Sequence, residues 1–195
     1  MSANRMDDFQ DGDIYEEITD TRVIAEGRVF RYEKLSVTLA DGSGSERDVV
    51  RLPGGSAIVA LDNEGYVYLV SQYRAAVGRV TLEIPAGRLE PGEKPEDCAV
   101  RELKEETGFT AGTIKHLTSI LPSPGYSDET LHIFFATDLE YDEAAPDEGE
   151  FLNVIMFPFD EAYDMAVSGD IRDAKTVVGL LLAHREMLAE KGGDD

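Results

Sequence analysis

One short stretch constrains this chain more than any other feature: a single helix-forming segment that is crowded with acids and enclosed by glycines. It reads GRLEPGEKPEDCAVRELKEETGF and runs from Gly87 to Phe109. Residues Lys94 to Thr107 predict a helix, because Pro95 suits its first turn and the two acids that follow suit the positive end of its dipole. Gly108 predicts its C-terminal end. We expect the fold to present this acidic helix between two glycine-containing turns.

Runs typical of strands lie on both sides of that helix. Up to Val50, apolar and polar residues alternate around an Asp-Gly turn signal, which predicts a small N-terminal antiparallel sheet. Longer apolar runs predict the strands of a larger sheet, namely SAIVALD, YVYLVSQY, TLEIPAG, TIKHLTSIL, LHIFFATDL and FLNVIMFPF. Two further helices are predicted near Phe159–Ser168 and Asp173–Lys191, the second with an apolar packing face. The pattern indicates an α+β chain.

Length and composition limit the organisation and the partners. A chain of 195 residues with 42% apolar content favours one principal domain. We divide it into an acidic, solvated lead-in at 1–20, N-terminal strands at 21–52 and the main domain at 53–195. A net charge of -22 disfavours nucleic acid as a partner, since phosphate backbones would be repelled. No membrane-spanning run or secretion signal is seen, so we expect a cytoplasmic protein, with Cys98 as a packing residue.

Three glutamates of the acidic helix share one face. Glu102, Glu105 and Glu106 lie at relative angles of about 0°, 300° and 40° on a helical wheel. Their mutual repulsion is unfavourable unless a cation gathers the oxygens, and hard oxygen ligands favour magnesium or manganese. The alternative is a solvated helix face with Arg101 and Lys104 as charge partners. Spacing alone leaves both interpretations open.

Other kinds of nucleotide or metal chemistry find no support in the sequence. His116, His132 and His184 are scattered and form no HExxH arrangement, which disfavours histidine-based zinc chemistry. The chain has neither a GxxxxGK[ST] phosphate loop nor a GxGxxG turn, which disfavours a P-loop nucleotidase or a Rossmann enzyme. The histidines are interpreted as packing or surface residues.

The acidic stretch resembles the Nudix box of the Nudix hydrolase family at every defined position. The matching residues are Gly87, Glu93, Arg101, Glu102, Leu103, Glu105, Glu106, Gly108 and Phe109. Nine specified positions in 23 residues make the match specific. The resemblance implies the Nudix fold, with a mixed β-sheet sandwiched between helices and the box forming a loop, a helix and a second loop.

The same resemblance implies a metal site. Glu102 and Glu106 would be the main ligands of Mg²⁺, or alternatively of Mn²⁺, with Glu105 assisting and the backbone carbonyl of Ala86 completing the site. The paired Glu93 and Arg101 of the box, together with Gly87 and Gly108, would be structural.

A looser resemblance to the ADP-ribose pyrophosphatase branch of the family covers the chain from about Val23 to His184. It rests on SQYRAAVGRVTLEIPAG, on LPSPGYSDE with Pro124 placed 16 residues after Gly108, and on DEGEFLNV and DAKTVVGLLLA. Taken alone, SPG is an ordinary turn and DEGE a solvated loop. The resemblance implies hydrolysis of ADP-ribose to AMP and ribose 5-phosphate.

Members of that branch imply roles for individual residues here. The general base that takes a proton from water would be Glu148, with Glu150 second and Glu105 third. Arg74 would contact the diphosphate, for which its planar fork of donors is suited, although a surface salt bridge explains an arginine there equally well. Glu129 would hold the terminal ribose hydroxyls.

The branch also implies a homodimer whose N-terminal strands help to build the partner's nucleoside pocket. Phe30 or Tyr32, or the guanidinium of Arg47 or Arg51, would then stack on the adenine. The sequence does not choose among these four.

Three alternatives stay open at this point. Another nucleotide sugar such as GDP-mannose would be cut by the same site, because the metal contacts only the shared diphosphate. A non-catalytic ADP-ribose sensor would be expected to carry an altered box or a DNA-binding appendage, and neither is seen. A purely structural acidic protein would show no dependence on divalent ions.

Overall fold

The structure, a computed structural model, describes residues 14–142 and 151–191. Its elements are β1 (Glu17–Glu26), β2 (Arg31–Thr38), β3 (Gly44–Arg51), β4 (Gly55–Leu61), β5 (Tyr66–Arg74), β6 (Arg79–Glu83), β7 (Ala86–Arg88), α1 (Pro95–Thr107), β8 (Phe109–Ile120), β9 (Leu131–Tyr141), β10 (Leu152–Pro158), α2 (Phe159–Ser168) and α3 (Ala174–Lys191). They form two compact units, one of residues 14–52 with Ser123–Asp128 and one of the other described residues.

The first unit is built on a three-stranded antiparallel sheet in the order β1-β2-β3. Alternate residues of β2 are buried, among them Leu35 and Val37, which fits the alternation seen in the sequence. All ten residues of β1 are exposed. Residues 17–20, which composition assigns to the solvated lead-in, thus belong to a strand, because backbone pairing with β2 orders them without burying their side chains.

The second unit contains a seven-stranded sheet. Its main path runs β10-β5-β4-β9-β8, while β6 pairs with β5 and β7 pairs with β4. Strands β4 and β9 are parallel and the other pairs are antiparallel, so the sheet is mixed. All seven residues of β4 are buried, as its unbroken apolar run predicts for a central strand.

Helices cover both faces of this sheet. On one face, Val59 and Leu61 of β4 pack in a core that includes residues of α2 and α3. On the other, Ile58 packs with Ala99 and Leu103 of α1. Alternate side chains of β4 therefore pack into two separate cores, one on each face of the sheet. The predicted mixed sheet between helices, with a small N-terminal sheet, is confirmed.

The predicted helices agree with the structure to within a residue. Lys94 is the N-cap of α1 rather than its first residue. Helix α3 begins at Ala174, since the Asp173 carboxylate caps it by accepting a hydrogen bond from the Thr176 amide at 3.0 Å. Among the described residues, none of the helices combines the length and the apolar character that crossing a bilayer requires.

Candidate active site

The acidic helix is fixed at both ends. Its last turn closes on Gly108, whose backbone φ of 77° lies in the left-handed region and whose amide donates to the Lys104 carbonyl at 2.9 Å. Near its start, the Ser56 hydroxyl donates to the Pro95 carbonyl at 2.7 Å. Helix α1 is thus tied to β4, and its acidic face has a fixed position relative to β7, which pairs with the same strand.

Arg101 links the loop before the helix to the helix acids. Its guanidinium donates to both oxygens of Glu93 at 2.9 and 3.0 Å, to Glu102 at 2.7 Å and to Glu105 at 3.0 Å. It also donates to the Arg88 carbonyl at 3.1 Å. The hydrogen bonds from Arg101 lower the pKa of Glu93 to about 2, so this pair is fully ionised at neutral pH. The structure brings Glu93 and Arg101 together as the box predicts.

Glu102 and Glu106 both reach β7, where their carboxylates meet adjacent residues. The side chain of Glu106 accepts a hydrogen bond from the Ala86 amide at 3.0 Å and is 4% exposed. Glu102 packs against Gly87 so closely that a Cβ at that position would lie 1.7 Å from its Oε1. Only a glycine leaves room for this carboxylate. Two buried acids therefore lie beside the backbone that carries the Ala86 carbonyl.

The donor set is suited by chemistry to a hard divalent cation. Glu102, Glu105, Glu106 and the Ala86 carbonyl offer only oxygen, which magnesium and manganese prefer. Across residues 14–142 and 151–191, however, no three acidic, histidine or cysteine side chains converge as a preformed metal cluster. Instead, Arg101 bonds to Glu102 and Glu105. Each of these bonds uses one carboxylate oxygen, so the second oxygen of Glu102 and of Glu105 would be the one to hold a cation.

A further buried acid, Glu83, was not predicted from the sequence. It is 2% exposed and accepts two hydrogen bonds from Arg74, at 2.8 and 2.7 Å, and one from Thr81 at 2.6 Å. Lys175 at the start of α3 also forms an ion pair with it. Burial alone would raise its pKa, but Arg74 and Lys175 outweigh burial and lower the pKa of Glu83 to about 2.

The charges that act on Arg74 come from this cluster and from the box. The pKa of its guanidinium is raised, first by the hydrogen bond to Glu83, and the charge of Glu106 contributes to the same shift. The arginine predicted to contact a diphosphate therefore lies within electrostatic reach of a predicted metal ligand. The signal that could have revealed Glu83 was an acid inside the otherwise apolar run TLEIPAG, because an acid facing a core needs a cation beside it.

The other predicted site residues include the general bases, the ribose-binding residue and one candidate for adenine stacking. Glu148 and Glu150 lie outside the described residues. Glu129 is half-buried. Arg47 forms an ion pair with Glu16.

The remaining candidates for adenine stacking lie in the first unit. Arg51 pairs with Glu33 at 2.8 Å and with Asp128 at 3.2 Å. The Tyr32 hydroxyl donates to Asp48, and Phe30 is exposed. Adenine stacking by one of these four residues stays a prediction.

The histidines and the cysteine lie in other settings. His184 stacks on Tyr163 with ring centroids 4.2 Å apart, and His116 and His132 both bond to the Ser119 hydroxyl. Cys98 is buried, and burial raises the pKa of its thiol to about 11, which keeps it protonated. These positions fit the packing and surface roles inferred from the sequence.

Comparison with known proteins identifies relatives over most of the chain. The NUDIX domain profile matches residues 51–178. The chain is 40% identical over 172 residues to the methanol dehydrogenase activator of Bacillus methanolicus, covering 87% of this chain and 93% of that protein. It is 38% identical over 159 residues to the ADP-ribose pyrophosphatase of Bacillus subtilis (strain 168), covering 80% and 86%. A crystal structure of an ADP compounds hydrolase superposes with a TM-score of 0.79 at 26% identity, covering 91% of this chain and 96% of that one.

Proposed function

The chain belongs to the NUDIX family, and from that premise we propose that it hydrolyses the pyrophosphate bond of ADP-ribose, or of a related ADP-sugar, with the help of divalent metal ions. One observation carries the proposal: two buried carboxylates, Glu102 and Glu106, lie beside adjacent residues of β7, the strand that carries the Ala86 carbonyl. The similarity to an ADP-ribose pyrophosphatase over 80% of the chain supports the substrate.

The chain's own residues would divide the work of hydrolysis. Glu102, Glu106 and the Ala86 carbonyl would hold the cation, with Glu105 assisting. A divalent cation, when bound, neutralises the charge of the diphosphate and acidifies water. Arg74 would bind a diphosphate oxygen with the part of its fork that Glu83 does not hold. Water oxygen bonds to one phosphorus, the bridging P–O bond breaks, and AMP and ribose 5-phosphate leave.

Glu148 is proposed as the base that takes the proton from water, with Glu150 second and Glu105 third. Carboxylates already bound to a metal are poorly placed to take the proton, which is why Glu105, an assisting ligand, comes last of the three. We expect Glu148→Gln to lower kcat by about 10²- to 10⁴-fold with little change in KM, since general-base catalysis contributes on that scale. Steady-state kinetics would measure this. A near-normal rate in that variant, with a loss in Glu150→Gln instead, would move the base to Glu150.

The substrate is tested with a panel of nucleoside diphosphate compounds. We expect ADP-ribose to be cleaved with the highest kcat/KM and to give AMP and ribose 5-phosphate, identified by chromatography and mass spectrometry. Turnover should vanish with a chelator and return with Mg²⁺ or, alternatively, Mn²⁺. If GDP-mannose were cleaved with a higher kcat/KM, the substrate would be wrong and the reaction class would stand. If no compound were cleaved but ADP-ribose bound, the sensor alternative would replace the hydrolase.

A homodimer formed through the N-terminal strands is also proposed. Strand β1 exposes Ile18, Val23 and Ile24, with relative exposures of 55%, 51% and 43%. Exposed apolar side chains on an edge strand favour association. Sedimentation equilibrium should give the dimer mass, and a monomer mass at micromolar concentration would contradict the proposal. A cytoplasmic location is also proposed, and the acidic composition supports a protein without nucleic-acid partners.

A further inference from the structure

The segment from Glu83 to Ala86 is held by contacts from several distant parts of the second unit. Lys175 pairs with the Glu83 side chain, and the Thr176 hydroxyl accepts a hydrogen bond from the Ile84 amide at 2.9 Å. The Pro85 carbonyl accepts from the Ile58 amide at 2.9 Å. Each of the three residues before Ala86 therefore has a hydrogen-bond or ion-pair partner elsewhere in the second unit.

The Thr176 hydroxyl has a fixed orientation because it both donates and accepts a hydrogen bond. It is fully buried, and it donates to the Asp173 carboxylate at 2.6 Å while it accepts from Ile84. Asp173 also bonds to the Thr176 amide and to Lys175, each at 3.0 Å. The first turn of α3 is thus a polar clamp, made of Asp173, Lys175 and Thr176, on the segment before β7.

Close packing fixes this clamp against the sheet. Gly179, one turn further along α3, lies so near the sheet that a Cβ there would be 2.9 Å from Val59 and 3.0 Å from Ile84. The same Ile84 whose amide bonds to Thr176 is therefore also in contact with the helix through its side chain. Helix α3 cannot shift without moving the segment that carries Ala86.

We propose that Lys175 and Thr176 are positioning residues for hydrolysis, because they hold Glu83–Ala86 so that the Ala86 carbonyl and the Arg74 guanidinium keep their places beside Glu106. The inference rests on the proposed function for the roles of Ala86 and Arg74. Neither residue of α3 touches the substrate. Lys175 acts through Glu83 on Arg74, and Thr176 acts through Ile84 on the backbone of Ala86.

The two residues should therefore have separable effects. Thr176→Val keeps the shape but removes the acceptor for the Ile84 amide. We expect it to raise the Mg²⁺ concentration for half-maximal activity by about tenfold, the lower end of what residues behind metal ligands contribute, with KM for ADP-ribose within about twofold of the original. Lys175→Met should instead raise KM for ADP-ribose, since Arg74 would pair more tightly with Glu83, and leave the metal requirement unchanged.

Controls separate positioning from general stability. Thr176→Ser keeps the hydroxyl and should need the same Mg²⁺ concentration for half-maximal activity as the original enzyme. Arg185→Met removes an exposed cation from the same helix and should change neither constant. Amide exchange at Ile84, followed by NMR, should accelerate in Thr176→Val without any substrate present. If Thr176→Val unfolds, Lys175→Met still tests the clamp through KM for ADP-ribose, at a temperature where that variant is folded.

Two results would overturn the inference. One is a folded Thr176→Val or Lys175→Met enzyme with a lower Tm but unchanged metal requirement and KM, which would make the clamp structural only. The other is a Thr176→Ser variant as impaired as Thr176→Val, which would rule out the hydroxyl. Failure of the proposed function looks different, since the unmodified enzyme itself would then not hydrolyse ADP-ribose, and the Ile84 exchange measurement would still report on the clamp.

Discussion

Replacing Glu106 by glutamine should lower kcat for ADP-ribose by on the order of 10³-fold, because the substitution removes one charge from the cation site while leaving the side chain its size. Cation neutralisation of a reacting diphosphate is worth several kcal/mol, and about 4 kcal/mol corresponds to that factor. Glu106 is buried and accepts a hydrogen bond from Ala86. An amide can turn its oxygen to that bond, so the fold should persist.

The measurement is steady-state kinetics across a range of Mg²⁺ concentrations, with isothermal titration of the metal. Glu96→Gln is the matched control, because Glu96 lies on the same helix, in its exposed first turn. It should retain the original kcat and metal affinity. Turnover by Glu106→Gln within about tenfold of the original enzyme would be incompatible with Glu106 as a metal ligand.

Alanine in place of Gly87 should also lower kcat, by a smaller factor and through sterics alone. The added Cβ would lie 1.7 Å from Oε1 and 2.0 Å from Cδ of Glu102, so the carboxylate has to leave its place beside β7. Displacing a group by about 1 Å at a catalytic site costs on the order of 10²-fold in rate. We expect kcat to fall by that factor and Tm to fall as well, because Arg101 loses its present geometry with Glu102.

Gly44→Ala provides the comparison, since a Cβ at that position meets nothing within 4 Å. Its kinetics and Tm should match those of the original chain. Combining Gly87→Ala with Glu102→Ala asks whether the clash is the cause. The double variant should have the same Tm as Glu102→Ala alone, because no carboxylate remains to clash with the added Cβ, and it should not regain the lost activity. An unimpaired Gly87→Ala enzyme would show that Glu102 is free to leave β7 during the reaction.

The contacts that could be predicted from the sequence are those between residues of one helix or one motif. Glu102, Glu105 and Glu106 share a face because helical geometry requires it, and the Glu93–Arg101 pair follows from the box. The strands followed from the apolar runs, and the mixed sheet between helices followed from the family resemblance. Such features depend on residues close in sequence or on one specific motif.

Contacts between distant segments were not predictable in the same way. The ion pair of Glu83 with Lys175 joins residues 92 positions apart, and no local pattern connects them. The bonds from Arg101 to Glu102 and Glu105, by contrast, join neighbouring positions and match the alternative in which Arg101 is a charge partner of the acidic helix face. Composition likewise assigned residues 17–20 to a lead-in, because composition carries no information on their backbone pairing with β2.

The distance between Glu83 and Lys175 along the chain has a consequence for how the enzyme matures. Synthesis proceeds from the N-terminus, so the acidic helix leaves the ribosome well before α3 does. Until α3 docks, Ile84 lacks its hydroxyl acceptor and Glu83 lacks its lysine. A nascent or C-terminally truncated chain would carry the complete Nudix box and still be inactive, so the onset of hydrolysis reports completion of folding.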